Sequence, residues 1–250
     1  MNSSHVPLFL KGPDDGGLVV FIHGFMGSPR QFDKLAHTVH RLGYSAASLL
    51  LPGHDCSARG FASGTFERWQ QYVDDEYERL SRDYESIWLV GHSMGGLLAV
   101  NTAVRHGDRI RGLFLISSPL KIIFISAHAV KVRLQLIFCR RSNPVKAAYL
   151  IGNSIKLTPD LLWHIIKPAI EFLKLMKVAQ GNLPDVRPRL MAFYSASDEL
   201  VSLQSLKILK SGLTGASVEY HVLTDSLHAY YPEHEYVLIE QALVKMLSLH

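Results

Sequence analysis

The sequence predicts an α/β domain, built as a mainly parallel sheet with helices on both faces and a helical insertion between two stretches of it. Three observations lead there. Short apolar runs alternate with amphipathic segments along most of the 250 residues. The runs are apolar throughout rather than at every second position, which marks strands covered on both faces. Between Lys121 and Arg187 the alternation stops, and apolar clusters follow one another at helical spacing without strand punctuation.

In chain order, Leu18–Ile22 (LVVFI) is predicted as a buried strand, bounded by Gly16-Gly17 and His23-Gly24. Ser28–Leu42 has helical spacing, with Phe32, Leu35, Val39 and Leu42 on one face and Gly43 as a stop. Ala46–Leu50 is a second strand, closed by Pro52-Gly53. Glu67–Asp83 reads as a helix with Trp69, Tyr72, Val73, Tyr77 and Leu80 toward one side. Ile87–Val90 is a third strand and Leu113–Ile116 a fourth. The helix Gly95–His106 lies between them, and its small residues Gly96, Ala99 and Ala103 permit close approach to a sheet. Arg189–Tyr194 and Ser217–Leu223 add two more strands, and Glu233–Leu249 a closing helix.

The core is thereby assigned to residues 1–120 and 188–250, and the insertion to 121–187. Within the insertion the apolar clusters are Ile122–Ile125, Leu134–Phe138, Leu161–Ile166 and Phe172–Met176. Such faces suit ordinary core packing as well as the lining of a substrate pocket.

A hydrophobic fraction of 48% and a charged fraction of 19% describe a folded chain rather than a disordered one. Its length suffices for one large domain with a substantial core. Two cysteines, Cys56 and Cys139, are too few for a disulfide framework and are expected as reduced thiols. The N-terminus lacks a charged segment followed by an apolar stretch, and no apolar run approaches the ~18–20 residues of a membrane span. The longest, Ile122–Val132, is broken by His128 and Lys131. A cytoplasmic protein is the expectation.

The net charge of +4 is unevenly spread. Residues 121–187 carry 11 Lys and Arg against 3 Asp and Glu, which leaves the rest of the chain mildly acidic. This basic segment suits either a solvated face or a loose association with anionic lipid. No basic motif interleaved with aromatics points to nucleic acid.

The chemistry rests first on Gly91-His92-Ser93-Met94-Gly95, a G-x-S-x-G pattern placed between a predicted strand and a predicted helix. A serine on that sharp turn is lifted above the strand ends, and flanking glycines avoid backbone clashes. The helix N-terminus favours negative charge beside it. A serine hydroxyl needs a base to take its proton. In this fold an acid and then a histidine follow, each in a loop after a later strand. Asp198, beyond Arg189–Tyr194, and His228, beyond Ser217–Leu223, meet both conditions.

Glu199 is the alternative acid, although its side chain should point away from that of Asp198. Asp225 lies too near His228 in sequence and belongs to the turn. An oxyanion hole should draw one N–H from Met94, after the serine, and another from His23-Gly24-Phe25-Met26-Gly27, where Phe25 is assigned. His23 is read as bracing that loop rather than carrying protons.

The blocks HGFMGSP, LPGHD, GHSMGG, SASDELVS and DSLHAY together resemble those of microbial carboxylesterases and monoacylglycerol lipases of the α/β-hydrolase superfamily. The matching blocks cover Leu18–Pro119 and Pro188–His250. Asp55 and Ala196 stand where the family commonly has glycine. The resemblance implies the α/β-hydrolase fold with a helical cap at 121–187. It also implies hydrolysis of short-to-medium acyl esters or monoglycerides.

The expected reaction is two-step acyl transfer, with Ser93 as nucleophile, His228 as general base and acid, and Asp198 orienting the imidazole. No metal or organic cofactor is expected, and the partner is a small ester with an apolar acyl group. A thioesterase using the same residues, and a ligand-binding protein of the same fold with little catalysis, are the competing readings.

Overall fold

A computed structural model describes residues 6–13, 16–55, 57–123, 128, 130–132, 143–152, 155 and 161–248. Within them seven strands form one sheet in the order β1-β3-β2-β4-β5-β6-β7. These are β1 (Leu8–Leu10), β2 (Leu18–Ile22), β3 (Ser45–Leu49), β4 (Ile87–His92), β5 (Ile110–Ile116), β6 (Arg189–Ser195) and β7 (Val218–Leu223). All neighbours pair in parallel except β1, which runs antiparallel to β3.

The buried strands explain the unbroken apolar runs. β2, β3 and β4 are buried along their whole length. Successive side chains serve opposite faces. Leu18, Val20 and Ile22 pack into one core, and Val19 and Phe21 into the other. Each fully buried aliphatic or phenyl side chain contributes about 1.5–3 kcal/mol relative to exposure. Strand β7, at the end of the sheet, is only partly covered. The sequence pattern misses β1, whose three residues include the exposed Phe9 and are too few for a periodicity to register.

The described helices are α1 (Asp33–Arg41), α2 (Ala58–Ala62), α3 (Phe66–Leu80), α4 (Met94–His106), α5 (Pro144–Gly152), α6 (Leu161–His164), α7 (Ile166–Asn182), α8 (Gln204–Gly212) and α9 (Glu233–Leu247). Leu35 and Val39 of α1 and Ile239, Leu243 and Met246 of α9 cover one face of the sheet. Helices α3, α4, α7 and α8 cover the other. The helix predicted over Ser28–Leu42 begins as a 3-10 turn at Pro29–Phe32, where the missing proline N–H costs nothing. The sequence pattern does not mark helices α2 and α8. α2 spans five residues, and α8 is preceded by Leu203, which offers no side-chain cap.

Inside 121–187 the described elements are helical: α5, α6, α7 and a 3-10 turn at Leu183–Asp185. The cluster Leu134–Phe138 and both cysteines lie outside the described residues. The second half of α7 buries Leu175 and Ala179 in the same core as α4. Asn182 Nδ2 donates to Asn101 Oδ1 on α4 at 2.9 Å. Nearer its start, Glu171 accepts the Phe66 N–H at the head of α3, at 3.3 Å, and pairs with Lys174 at 2.7 Å. None of the described helices is long and apolar enough to cross a membrane.

Candidate active site

Ser93 connects β4 directly to α4 and adopts φ 52° and ψ −122°, a conformation that L residues rarely hold. The flanking glycines are there for space. A Cβ at Gly95 would stand 1.9 Å from the Ile22 carbonyl oxygen, and one at Gly91 2.4 Å from Gly96 Cα. At Gly96 it would stand 1.7 Å from Ser118 Oγ. The Ser93 N–H donates to the Ile116 carbonyl at 2.8 Å, which ties the turn to the end of β5.

The loops after β6 and β7 bring the other two groups to this turn. Ser93 Oγ lies 3.0 Å from His228 Nε2, and His228 Nδ1 lies 2.9 Å from Asp198 Oδ2. Asp198 Oδ1 accepts the N–H groups of Leu200 and Val201, both at 2.8 Å. With Nδ1–H donating to the carboxylate, Nε2 is left to accept the serine proton. Burial disfavours the imidazolium, but the charge and hydrogen bond of Asp198 and the charge of Glu199 outweigh it and hold His228 above the ordinary histidine value. Burial also pushes Asp198 upward, yet the charge and hydrogen bond of His228 and the two amides leave it below the ordinary aspartate value. A chain of this kind can activate a hydroxyl and then return the proton to a leaving group.

Glu199, the alternative acid, meets the His228 main chain instead of the ring. Its Oε2 accepts the His228 N–H at 3.0 Å. Asp225 pairs with His234 at 3.0 Å on the surface. A residue that sequence reasoning passed over is His92, the variable position before Ser93. It is buried, its Nε2 lies 2.8 Å from the His228 carbonyl, and burial pushes its pKa down to about 3. A neutral imidazole therefore donates there.

The loop after β2 packs against the serine turn, where a Cβ at Gly24 would stand 2.9 Å from Ser93 Cβ. His23 is fully buried; its Nε2 accepts the Leu51 N–H at 3.0 Å, so Nδ1 carries the proton and donates to the Gly24 carbonyl at 2.9 Å. Phe25 sits in an aromatic group with Phe61, Trp69 and Phe172 of α7, at centroid distances of 4.9, 6.2 and 5.5 Å. The Asp55 carboxylate accepts the Ser57 hydroxyl at 3.4 Å, at the start of α2. A cavity of about 570 Å³ opens over Ser93 and His228, walled by Phe25, Met26, Ala147 and Leu200, with Arg30 and Tyr230 also on its lining. Among the described residues, Asp225, His234 and Glu235 bring ligand-type atoms within 4.8 Å of one another. Glu235 is already engaged there, accepting from Thr224, Asp225 and Ser226.

Residues 13–156 match the family described as serine aminopeptidase, S33. The chain belongs to this family. A thermostable monoacylglycerol lipase from Bacillus sp. (strain H-257) is 25% identical over 93% of this member and 90% of its own length. A carboxylesterase from Bacillus subtilis (strain 168) is 23% identical over 97% and 96%. A solved structure from work on the metagenome-derived lipolytic enzymes LipS and LipT superposes with a TM-score of 0.76 at 23% identity, over 98% of both chains. The fold of this family member is thus the α/β-hydrolase fold.

Proposed function

We propose that the protein hydrolyses carboxylic esters with apolar acyl groups, in two steps through an acyl-enzyme at Ser93. The observation that carries this reading is the hydrogen-bonded chain from Ser93 through His228 to Asp198, lying open to a cavity with apolar walls. His228 takes the Ser93 proton as the hydroxyl attacks the ester carbonyl, then protonates the departing alcohol. It next activates the water that releases the acid. Asp198 keeps the imidazole in the required tautomer. The amides of Phe25 and Met94 are assigned to the oxyanion, and the contact between Gly24 and Ser93 supports the first of them. The names of two relatives, a monoacylglycerol lipase and a carboxylesterase, support the ester bond as the target.

In this reading residues 121–187 form a cap whose α5 lines the cavity and whose α7 backs its wall through the contact of Phe172 with Phe25. On its outside Trp163, Ile166 and Ile170 are exposed beside Lys167 and Lys177. Apolar and cationic groups on one surface suit the interface of an anionic bilayer, where long acyl esters reside. Sedimentation with phosphatidylglycerol vesicles should exceed that with phosphatidylcholine vesicles and fall in Trp163→Ala. Equal recovery with both lipids removes the membrane assignment.

Hydrolysis of p-nitrophenyl esters from acetate to laurate, run beside Ser93→Ala and a matched acyl-CoA, tests the chemistry. A rate that peaks at one chain length and vanishes in the variant supports the reading. Preference for the acyl-CoA by orders of magnitude reassigns the enzyme as a thioesterase. No rate above the variant on any substrate overturns it.

A further inference from the structure

Beside the chain of Ser93, His228 and Asp198 lies a second buried carboxylate that the proposed chemistry leaves without a task. Glu199 is 2% exposed. Its two oxygens go in different directions: Oε2 accepts the His228 N–H at 3.0 Å, and Oε1 accepts the hydroxyl of Tyr149. Tyr149 belongs to α5, inside residues 121–187, and lines the cavity. One carboxylate therefore bridges the main chain of the histidine loop and a side chain of the insertion.

Removing a carboxylate from water is expensive unless its oxygens are well partnered. The partners here bear on one peptide. His228 must hold Asp198 with one ring nitrogen and Ser93 with the other, from a loop without regular secondary structure. Its N–H is held by Glu199. Its carbonyl accepts from His92 Nε2 at 2.8 Å and from the Tyr231 hydroxyl at 3.1 Å. His92 comes from the serine turn and Tyr231 from the same loop, so the insertion reaches this peptide through Tyr149, by way of Glu199 and by the contact of its hydroxyl with the Ala229 main chain. A displacement of about 1 Å in a reacting group can cost on the order of a hundredfold in rate.

We propose that Glu199 is a positioning residue that fixes the His228 peptide, and that Tyr149 ties the seating of α5 over the cavity to the alignment of His228 with Ser93. This rests on the serine-hydrolase reading. Glu199 has a second consequence, through its charge. The groups that face His228 are Asp198, Glu199, His92, Tyr231 and, through Glu199, Tyr149. Only the two carboxylates favour the imidazolium. Without the Glu199 charge His228 binds its proton less tightly, and the acid limb of kcat/KM moves to lower pH.

The test compares wild type with Glu199→Ala, Glu199→Gln, Tyr149→Phe and the Tyr149→Phe, Glu199→Ala pair on one p-nitrophenyl ester across the neutral pH range. Circular dichroism and melting are recorded for each. Glu199→Ala should lower kcat by about ten- to a hundredfold with KM within about twofold. Glu199→Gln can still accept the His228 N–H while the Tyr149 hydroxyl turns to accept from its amide. It should recover most of kcat, with its acid limb at lower pH. Tyr149→Phe should cost about three- to tenfold alone and clearly less than that beside Glu199→Ala. The imidazole titration of His228, followed by NMR with His228→Gln supplying the assignment, should move the same way in Glu199→Gln whatever ester is chosen.

A folded Glu199→Ala within twofold of wild-type kcat overturns the proposal, as do fully additive losses in the pair. Should Glu199→Ala fail to fold, a Glu199→Gln variant with the wild-type pH profile and NMR titration overturns it. Wild-type protein that turns over no ester counts against the hydrolase reading, whereas active wild type matched by every variant counts against this proposal alone.

Discussion

His228 serves two neighbours with one ring, and its proton affinity follows from them. In the proposed reaction the ring must be neutral, so kcat/KM should rise as pH climbs through the pKa of His228. Asp198 and Glu199 hold that value above the ordinary 6.5 despite burial, which places the acid limb of the profile above 6.5. A pH profile measured on any good substrate checks this, and a limb well below 6.5 would show the carboxylates to be protonated or displaced. The same shift acts on folding: a raised histidine contributes stability that is fully present below its unfolded value and lost as pH rises through the folded one. Spacing after the strands was enough to single out Asp198 and His228. The alternation of side chains within one turn set Glu199 aside as the acid, but it gave no sign that Glu199 would meet the His228 main chain instead. His92 and Tyr149 carried no signal at all, since one occupies a variable position of its pattern and the other lies in a segment without motifs.

At the scale of elements, the serine turn works because three backbones meet with no side chain between them. A methyl group at Gly95 would sit against the Ile22 carbonyl at 1.9 Å, so Gly95→Ala should cost about 1–3 kcal/mol or more and displace Ser93 as well. Gly181, in the last turn of α7, has nothing within 4 Å of an added Cβ. There the substitution removes backbone freedom from the unfolded chain, and Gly181→Ala should stabilise by about 0.4–1 kcal/mol. Urea unfolding of the two variants separates these cases, and a stabilised Gly95→Ala would show that the turn is looser than the packing implies. The pattern around Ser93 was legible because a strand and a helix flank it in sequence as they do in space. β1 was not, being three residues long with one apolar side chain turned outward. α8 was not, because Leu203 stands at its N-cap position and its buried face is short.

For the whole molecule, the two stretches of apolar strands on either side of 121–187 were enough to predict a single sheet, and β5 and β6 do pair across that gap. The burial of Leu175 and Ala179 beneath α4 was less visible, because a helix that packs on the core and one that overhangs a cavity share the same periodicity. The backbone at Ser93 bears on the entire folding equilibrium. A non-glycine residue at φ 52° and ψ −122° costs about 1–3 kcal/mol wherever it stands, and a chain of this size gains about 2–4 °C in melting temperature per kcal/mol recovered. Ser93→Gly should therefore melt a few degrees above Ser93→Ala, and differential scanning calorimetry reads the difference directly; equal midpoints would mean the turn is relaxed. With Ser93 as the proposed nucleophile, heat resistance and turnover pull on one codon in opposite directions, and selection for thermal robustness alone would drift this protein toward an inert relative of itself.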